Sequence, residues 1–380
     1  MVLGLVLSAA AANPLRVGTS ADYPPFSKSG RGFDVDVAER LAAALGREVV
    51  WVRFRWPELP QRLARGDFDV VMSGVTWRPE REVSGYATRA VAAGAPCIVG
   101  AADPRRVAVN RGGFLESWAR KRLPDAEVVA VPDNPLLAGY LARGDVDALV
   151  TDTFEAVHVR RPEWKLACEP PRYRKVYWVS PTAPATLGTA IDRWIGEHEG
   201  ELRALRGRWL GGPMPRDDVD HVVDLLARRL EMMPLVAAWK RAHHAPVEDR
   251  PREAAVIARA ADSAARHALD VEAVRGLFFV QIDLAKTVQQ RSTGAETEID
   301  LAKTIRPALG RIDERVIQAL ERAVPISAAA LSPERLAPLA LALDEAEIER
   351  LRHALLALRR SSWQNPQEGP IMPPRRGGVP

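Results

Sequence analysis

Residues 208–240 read RWLGGPMPRDDVDHVVDLLARRLEMMPLVAAWK, and the chain changes character within them. Gly211, Gly212, Pro213 and Pro215 end one helical pattern and form a linker-like break over 213–218. Upstream of the break, short β-like runs alternate with helical ones. Downstream, nothing from about residue 219 reads as a strand.

The upstream runs are LRVGTS, EVVWVRF, FDVVMSG, PCIVGA, RVAVN, EVVAVP, DALVTD and KVYWVSP. They are rich in valine and bounded by Gly, Pro, Asp or Ser, as strands are. Helical patterns such as FDVDVAERLAAALG, WPELPQRLARGD and NPLLAGYLARGD separate them. The alternation predicts an α/β domain with parallel sheets over 14–212, with ligands at the carboxyl ends of strands.

The downstream half predicts an all-α domain over 219–360, with helices near 219–242, 250–267, 270–291, 296–323 and 333–360. Its apolar stripes carry the wrong residues. Val222, Leu226, Arg229, Met233, Val236 and Lys240 recur at alternating spacings of four and three, so they share one helix face. Arg229 and Lys240 then point the same way, about 16 Å apart along the axis, with Pro234 placed to bend the helix between them. A second stripe, Leu301, Ile305, Ala308, Ile312, Arg315 and Ala319, contains Arg315. A third runs Val274, Phe278, Ile282 and Ala285 to Gln289, and Arg252 precedes Val256 by one turn. One isolated cation would be a side chain snorkelling at the edge of the core. Several cations and an amide on four helices, with few carboxylates beside them, call for a bound anion. Asp249 is placed to pair with one of them, and the pattern fits a pocket for a small dicarboxylate.

The totals fit two or three soluble domains rather than one. Of 380 residues, 47% are hydrophobic and 27% charged, enough to bury sizeable cores. The net charge of +4 is spread along the chain with no basic tract interleaved with aromatics, which argues against a nucleic-acid partner. Residues 1–13 form a short apolar run ending in small residues, which predicts the remnant of a signal peptide and export to the periplasm or beyond. No membrane anchor is expected. The two cysteines, Cys97 and Cys168, allow one disulfide or two buried thiols. The tail, 361–380, is rich in Pro, Gly and polar residues and predicts disorder. The sequence leaves a homo-oligomer open.

The stretch LARRLEMMPLVAAWKRAHHAPVEDRPREAAV, with FFVQIDLAKTVQQ and IRPALGRIDERV after it, resembles the all-helical chorismate mutases of the exported subclass over about 219–325. The resemblance implies that Arg229 and Arg315 bind the carboxylates of chorismate and that Arg252 joins them. It gives Lys240 and Gln289 the role of donors to the ether oxygen, and has Asp249 fix Lys240 or a substrate hydroxyl. Relatives often carry Ser or Thr where Ala285 stands. His243 and His244 read as solvated residues at a helix end.

The first half resembles the two-lobed extracytoplasmic solute-binding proteins, and among them the periplasmic cyclohexadienyl dehydratases. The motifs are DYPPF, GFDVD, MSGVTWRPER, NRGG, PDN and TDTFEA, in that order. The resemblance implies decarboxylating dehydration of prephenate or arogenate, with Glu155 as the acid that protonates the departing hydroxyl. The other readings for Glu155 and Asp152 are a helix-start glutamate and a cap. Thr76, Arg81 and Ser73 suit a ligand carboxylate. Tyr23 and Trp56 would wall the cleft, and Asn110, Asn134, Asp152 and Lys175 would supply polar contacts. Phe114 stands where relatives usually have threonine. No metal or organic cofactor is expected, and the substrates implied are small molecules: chorismate and prephenate or arogenate.

Overall fold

A computed structural model describes residues 13–132, 136–171, 173–212, 216–294 and 297–361. The predicted signal remnant, the tail beyond 361 and Asn134 lie outside them, apart from residues 13 and 361 themselves.

All eight β-like runs contain strands. In the first lobe Val49–Arg53, Leu15–Thr19 and Val70–Val71 lie parallel, and Trp178–Val179 and Tyr86–Ala87 extend the sheet antiparallel. In the second, Glu127–Val131, Arg106–Asn110 and Ala148–Asp152 are parallel, followed by antiparallel Pro96–Gly100 and Lys165–Cys168. The sheets are therefore mixed, not parallel as the alternation predicts. Pro96–Gly100 enters its sheet directly from the other lobe, without a crossover helix to set its direction. Cys97 and Cys168 face each other on adjacent antiparallel strands and are joined as a disulfide.

The chain passes between the lobes twice, and the two passages pair: Ala92–Gly94 runs antiparallel to Tyr173–Lys175. Ligand clefts of two-lobed folds lie beside such crossings. Side chains alternate along a strand, so Arg174 and Lys175 leave this one on opposite sides.

The second half forms helices and no named strand among its described residues, but the predicted 219–242 helix is two. Asp218–Glu231 ends at Met232, and Met233–Ala242 restarts with Pro234 in its first turn, where a missing N–H costs nothing. Arg250–Arg266, Val271–Arg291 and Arg306–Ala323 follow, the last entered through a π-helical turn, Leu301–Ile305. Glu345–Leu356 packs on Val271–Arg291. No helix among the described residues is long and apolar enough to cross a membrane.

The two halves are not beads on a string. One hydrophobic cluster runs from Phe54, Leu59, Val75 and Trp77 of the first lobe into Val222, Leu226 and Leu230 of the bundle. Across this junction the Asp218–Glu231 helix grips both ends of the hinge. Arg228 donates to the carbonyls of Ala87 (3.2 Å) and Thr88 (3.0 Å). Arg174 of the hinge strand bonds Asp224 (3.2 Å) and Glu231 (2.7 Å) while itself only 2% exposed. Both guanidinium carbons lie near the Trp77 ring, 5.6 and 5.7 Å from its centroid, and the indole Nε1 donates to Glu82 at 2.7 Å. Removing one member of a buried ion pair leaves the other charge stranded, at about 3–5 kcal/mol. Arg174→Met should therefore lower the urea midpoint of the full chain by an amount equivalent to about 3 kcal/mol, whereas Arg105→Met, on the surface, should leave it unchanged.

Candidate functional site

Two pockets collect the chemistry, one in each half. The first lies between the lobes against the hinge strand. Thr76, Arg81, Tyr23 and Trp56 line it from the first lobe, and Asn110, Arg111, Phe114, Asp152 and Glu155 from the second, with Lys175 entering from the hinge.

The strand Ala148–Asp152 ends here and turns at once into the Thr153–Val159 helix. Asp152 caps that helix: its Oδ1 accepts from the amides of Phe154 (3.0 Å) and Glu155 (2.9 Å). Its Oδ2 accepts from Lys175 Nζ at 2.7 Å and from the Tyr23 hydroxyl. Burial pushes the Asp152 carboxyl upward, but the adjacent Lys175 ammonium and these bonds hold it below its ordinary value. Lys175 Nζ also reaches Tyr23 Oη (3.0 Å), Gly74 O (3.0 Å) and Thr76 Oγ1 (3.2 Å). Gly74 has φ +62, and a Cβ there would strike the Tyr23 ring.

Glu155, the third residue of that helix, meets the opposite fate. It is 3% exposed and, among the described residues, no cation pairs with it; the Thr151 hydroxyl donates to its Oε2. Burial raises its carboxyl to about 8, with Asp152 adding to the rise and the Thr151 bond opposing it. At neutral pH this carboxyl keeps its proton. A buried carboxyl that keeps its proton at neutral pH is able to act as a general acid.

Other predicted residues of this cleft fare unevenly. Arg81 lines it and donates to the Thr76 carbonyl; burial lowers its pKa to about 10, leaving it charged at neutral pH. Asn110 Oδ1 is buried without a partner among the described residues. Ser73 does not face the cleft: its hydroxyl is enclosed with those of Ser20 (2.9 Å) and Ser27 (2.8 Å), because residue 73 of this loop points under it. Phe114 packs its ring on Tyr173, centroids 4.2 Å apart, at the rim.

The second pocket lies inside the helical bundle. Arg229, Met233, Val236 and Lys240 reach it in the predicted stripe despite the break at Met232, and Arg252, Val256, Ala285 and Gln289 face them. Arg315 does not. It turns to the junction, with Nη2 3.1 Å from Asp192 and its guanidinium over the Tyr86 ring. The pocket-facing residues of its helix are Arg306, Leu309 and Asp313; two residues past Asp313 is roughly 200° around the axis, on the face toward Asp218–Glu231. Arg306, not Arg315, is the arginine that this helix turns into the pocket. Lys286, three residues before Gln289 and so on its face, was equally open to the spacing argument.

Three carboxylates in this pocket have partners: Asp313 bonds Arg229 (2.8 Å), Asp249 bonds Arg306 (3.0 Å) and Glu253 bonds Lys286 (3.2 Å). Asp249 thus pairs with Arg306, while its other oxygen accepts from the Arg252 amide at 3.2 Å to cap the helix. Lys240 and Arg252 carry the remaining positive charge. Lys240 donates to Val247 O at 2.6 Å, and burial lowers its pKa against the pull of Asp249. Gln289 donates to Ala285 O (3.2 Å), and its Oε1 is buried without a partner among the described residues.

A solute-binding architecture with a helical anion pocket attached is what these parts define. The family description "Bacterial extracellular solute-binding proteins, family 3" matches residues 15–213, and "Chorismate mutase type II" matches residues 217–290. The chain belongs to family 3 of the bacterial extracellular solute-binding proteins and carries a type II chorismate mutase domain behind it. Cyclohexadienyl dehydratase of Pseudomonas aeruginosa is 31% identical over 221 residues, covering 52% of this chain and 82% of that protein. An L-cystine-binding protein of Escherichia coli is 27% identical over 224 residues, 53% of this chain and 84% of that one. Among solved structures, an ancestral amino acid-binding protein described as a precursor of cyclohexadienyl dehydratase matches 52% of this chain and 95% of its own, at 28% identity and a TM-score of 0.48.

Asp34 is another buried carboxyl near this cleft with a raised value. Burial lifts it to about 7, against the pull of the Gly74 amide, which donates to it at 2.6 Å. Infrared difference spectra should accordingly show a protonated-carboxyl C=O band at pH 7 that bleaches as pH passes about 8 and is missing from Glu155→Gln. A component bleaching near 7 should disappear in Asp34→Asn.

Proposed function

We propose that the chain is a bifunctional exported enzyme, in which the helical domain converts chorismate to prephenate and the two-lobed domain carries prephenate or arogenate on to phenylpyruvate or phenylalanine. The observation that carries the second half is Glu155: a buried carboxyl that holds its proton at neutral pH, at the carboxyl end of a strand, facing a cationic cleft. The relatedness to cyclohexadienyl dehydratase supports the same reading. Export is supported by the Cys97–Cys168 disulfide, a bond that persists in oxidising compartments.

In the bundle, catalysis is orientation and charge. The rearrangement breaks the ether C–O bond of chorismate and forms a C–C bond, with no covalent intermediate on the enzyme. Arg229, Arg252 and Arg306 hold the two carboxylates so that the reacting carbons meet. Lys240 and the Gln289 amide, turned to present its NH₂, meet negative charge developing on the ether oxygen.

In the cleft, carbon dioxide leaves from the ring carbon as the hydroxyl departs and the ring becomes aromatic. Hydroxide is a poor leaving group, so Glu155 transfers its proton to that oxygen and water departs; the carboxylate then regains a proton from solvent. Arg81 and Thr76 bind the substrate carboxylate.

The competing reading is an amino-acid receptor fused to a mutase, favoured by the likeness to an L-cystine-binding protein and by Phe114. Incubating the protein with prephenate and following phenylpyruvate separates the two; absence of turnover above background, with tight amino-acid binding, would sink the dehydratase. Glu155→Gln should lower dehydratase kcat by about 10²–10⁴-fold with mutase activity retained. Dehydratase rate should fall as pH rises through about 8, where Glu155 gives up its proton. In the bundle, Arg306→Met and Lys240→Met should each cut mutase kcat/KM by roughly 100-fold or more. Arg315→Lys should change it by less than about threefold, since Arg315 faces the junction.

A further inference from the structure

We infer that Lys175 makes the cleft between the lobes selective for a keto-acid dicarboxylate, prephenate, over the corresponding α-amino acid, arogenate, by filling the ammonium subsite with the protein's own ammonium. The inference rests on the dehydratase reading for its substrates, but the selectivity is a property of the cleft and is tested apart from turnover.

A ligand ammonium taken out of water needs a carboxylate and does well against aromatic faces. The cleft has such a place. Asp152 supplies the carboxylate, and the rings of Tyr23 and Phe26 stand beside it. Lys175 Nζ occupies it: 2.7 Å from Asp152 Oδ2, and 5.2 and 5.4 Å from the two ring centroids. The lysine is 4% exposed and is held by the Gly74 carbonyl as well.

Neither oxygen of Asp152 is left for a ligand. Oδ1 takes two helix amides, and Oδ2 takes Lys175 and Tyr23. The other lining carboxyl, Glu155, is protonated at neutral pH and offers an incoming cation no charge. An ammonium could reach Asp152 only by displacing Lys175 and leaving two cations side by side, in a cleft already lined by Arg81 and Arg111. A keto group at the same position carries no charge and makes no such demand. With Arg81, Arg111 and Lys175 facing the single anion Asp152, the cleft prefers a ligand with two negative charges and no positive one.

The test uses the full chain and two ligand pairs. In turnover assays at pH 7, kcat/KM for prephenate should exceed that for arogenate by roughly 100-fold, the scale expected when a buried polar group finds no partner. In calorimetry, phenylpyruvate should bind and L-phenylalanine should give no heat at millimolar concentration. Lys175→Met frees Asp152, so L-phenylalanine binding should appear and the prephenate preference should shrink at least about tenfold. Mutase activity of the variant reports that the chain is folded, and Lys175→Gln serves if the methionine variant loses it. Equal turnover of arogenate, or binding of L-phenylalanine by the unaltered protein as tight as that of phenylpyruvate, overturns the inference. So does a folded variant that gains no affinity for the amino acid. If neither substrate turns over while phenylpyruvate is still preferred, the dehydratase reading fails and the selectivity stands.

Discussion

A guanidinium removed from water must be paid in carboxylates, and the pairing of Arg174 with Asp224 and Glu231 is the constraint on which the two halves depend. It lies in the strand that joins the lobes, so the partner helix fixes the hinge as well as the bundle. Arg228 and Trp77 complete the same contact, and Asp224 is held from its other side by Arg216. The apolar cluster that continues across the junction excludes water from these groups, which strengthens each pairing and raises the cost of losing one.

The two pockets solve a shared problem by different means. Each is lined by more cations than carboxylates that carry charge. In the bundle the excess arises because three of five cations are neutralised by carboxylates, leaving Lys240 and Arg252. In the cleft it arises because one of two carboxyls is kept neutral. Asp152 and Glu155 are three residues apart, yet one is ionised by Lys175 and two amides while the other is shielded among Thr151 and apolar neighbours. Burial alone would have raised both; the ammonium decides which one stays charged.

Much of this was legible in the sequence because it is local. Strands announce themselves by valine-rich runs, and the helix carrying Arg229 and Lys240 by its spacing. Even the break at Met232 did not disturb the stripe, since Pro234 in a first turn restarts the helix nearly in phase. What could not be read was which of two buried faces of one helix looks into the pocket. Arg306–Ala323 packs on Asp218–Glu231 with one side and lines the pocket with the other, so a cation in its apolar stripe has two possible destinations, and Arg315 takes the one at the junction. Ser73 failed for a related reason: on a tight loop adjacent residues face opposite ways. The pairing of Arg174 with a helix some fifty residues onward carries no local signal at all.

The strand Tyr173–Lys175 is three residues long, and its alternation sends Arg174 to the bundle and Lys175 to the cleft. A slip of one residue would exchange the two, putting a guanidinium against Asp152 and a lysine between Asp224 and Glu231. The frame of this short segment is thus read twice, once by each half. Insertions or deletions there cannot be absorbed by either domain alone, whatever freedom the loops on both sides allow.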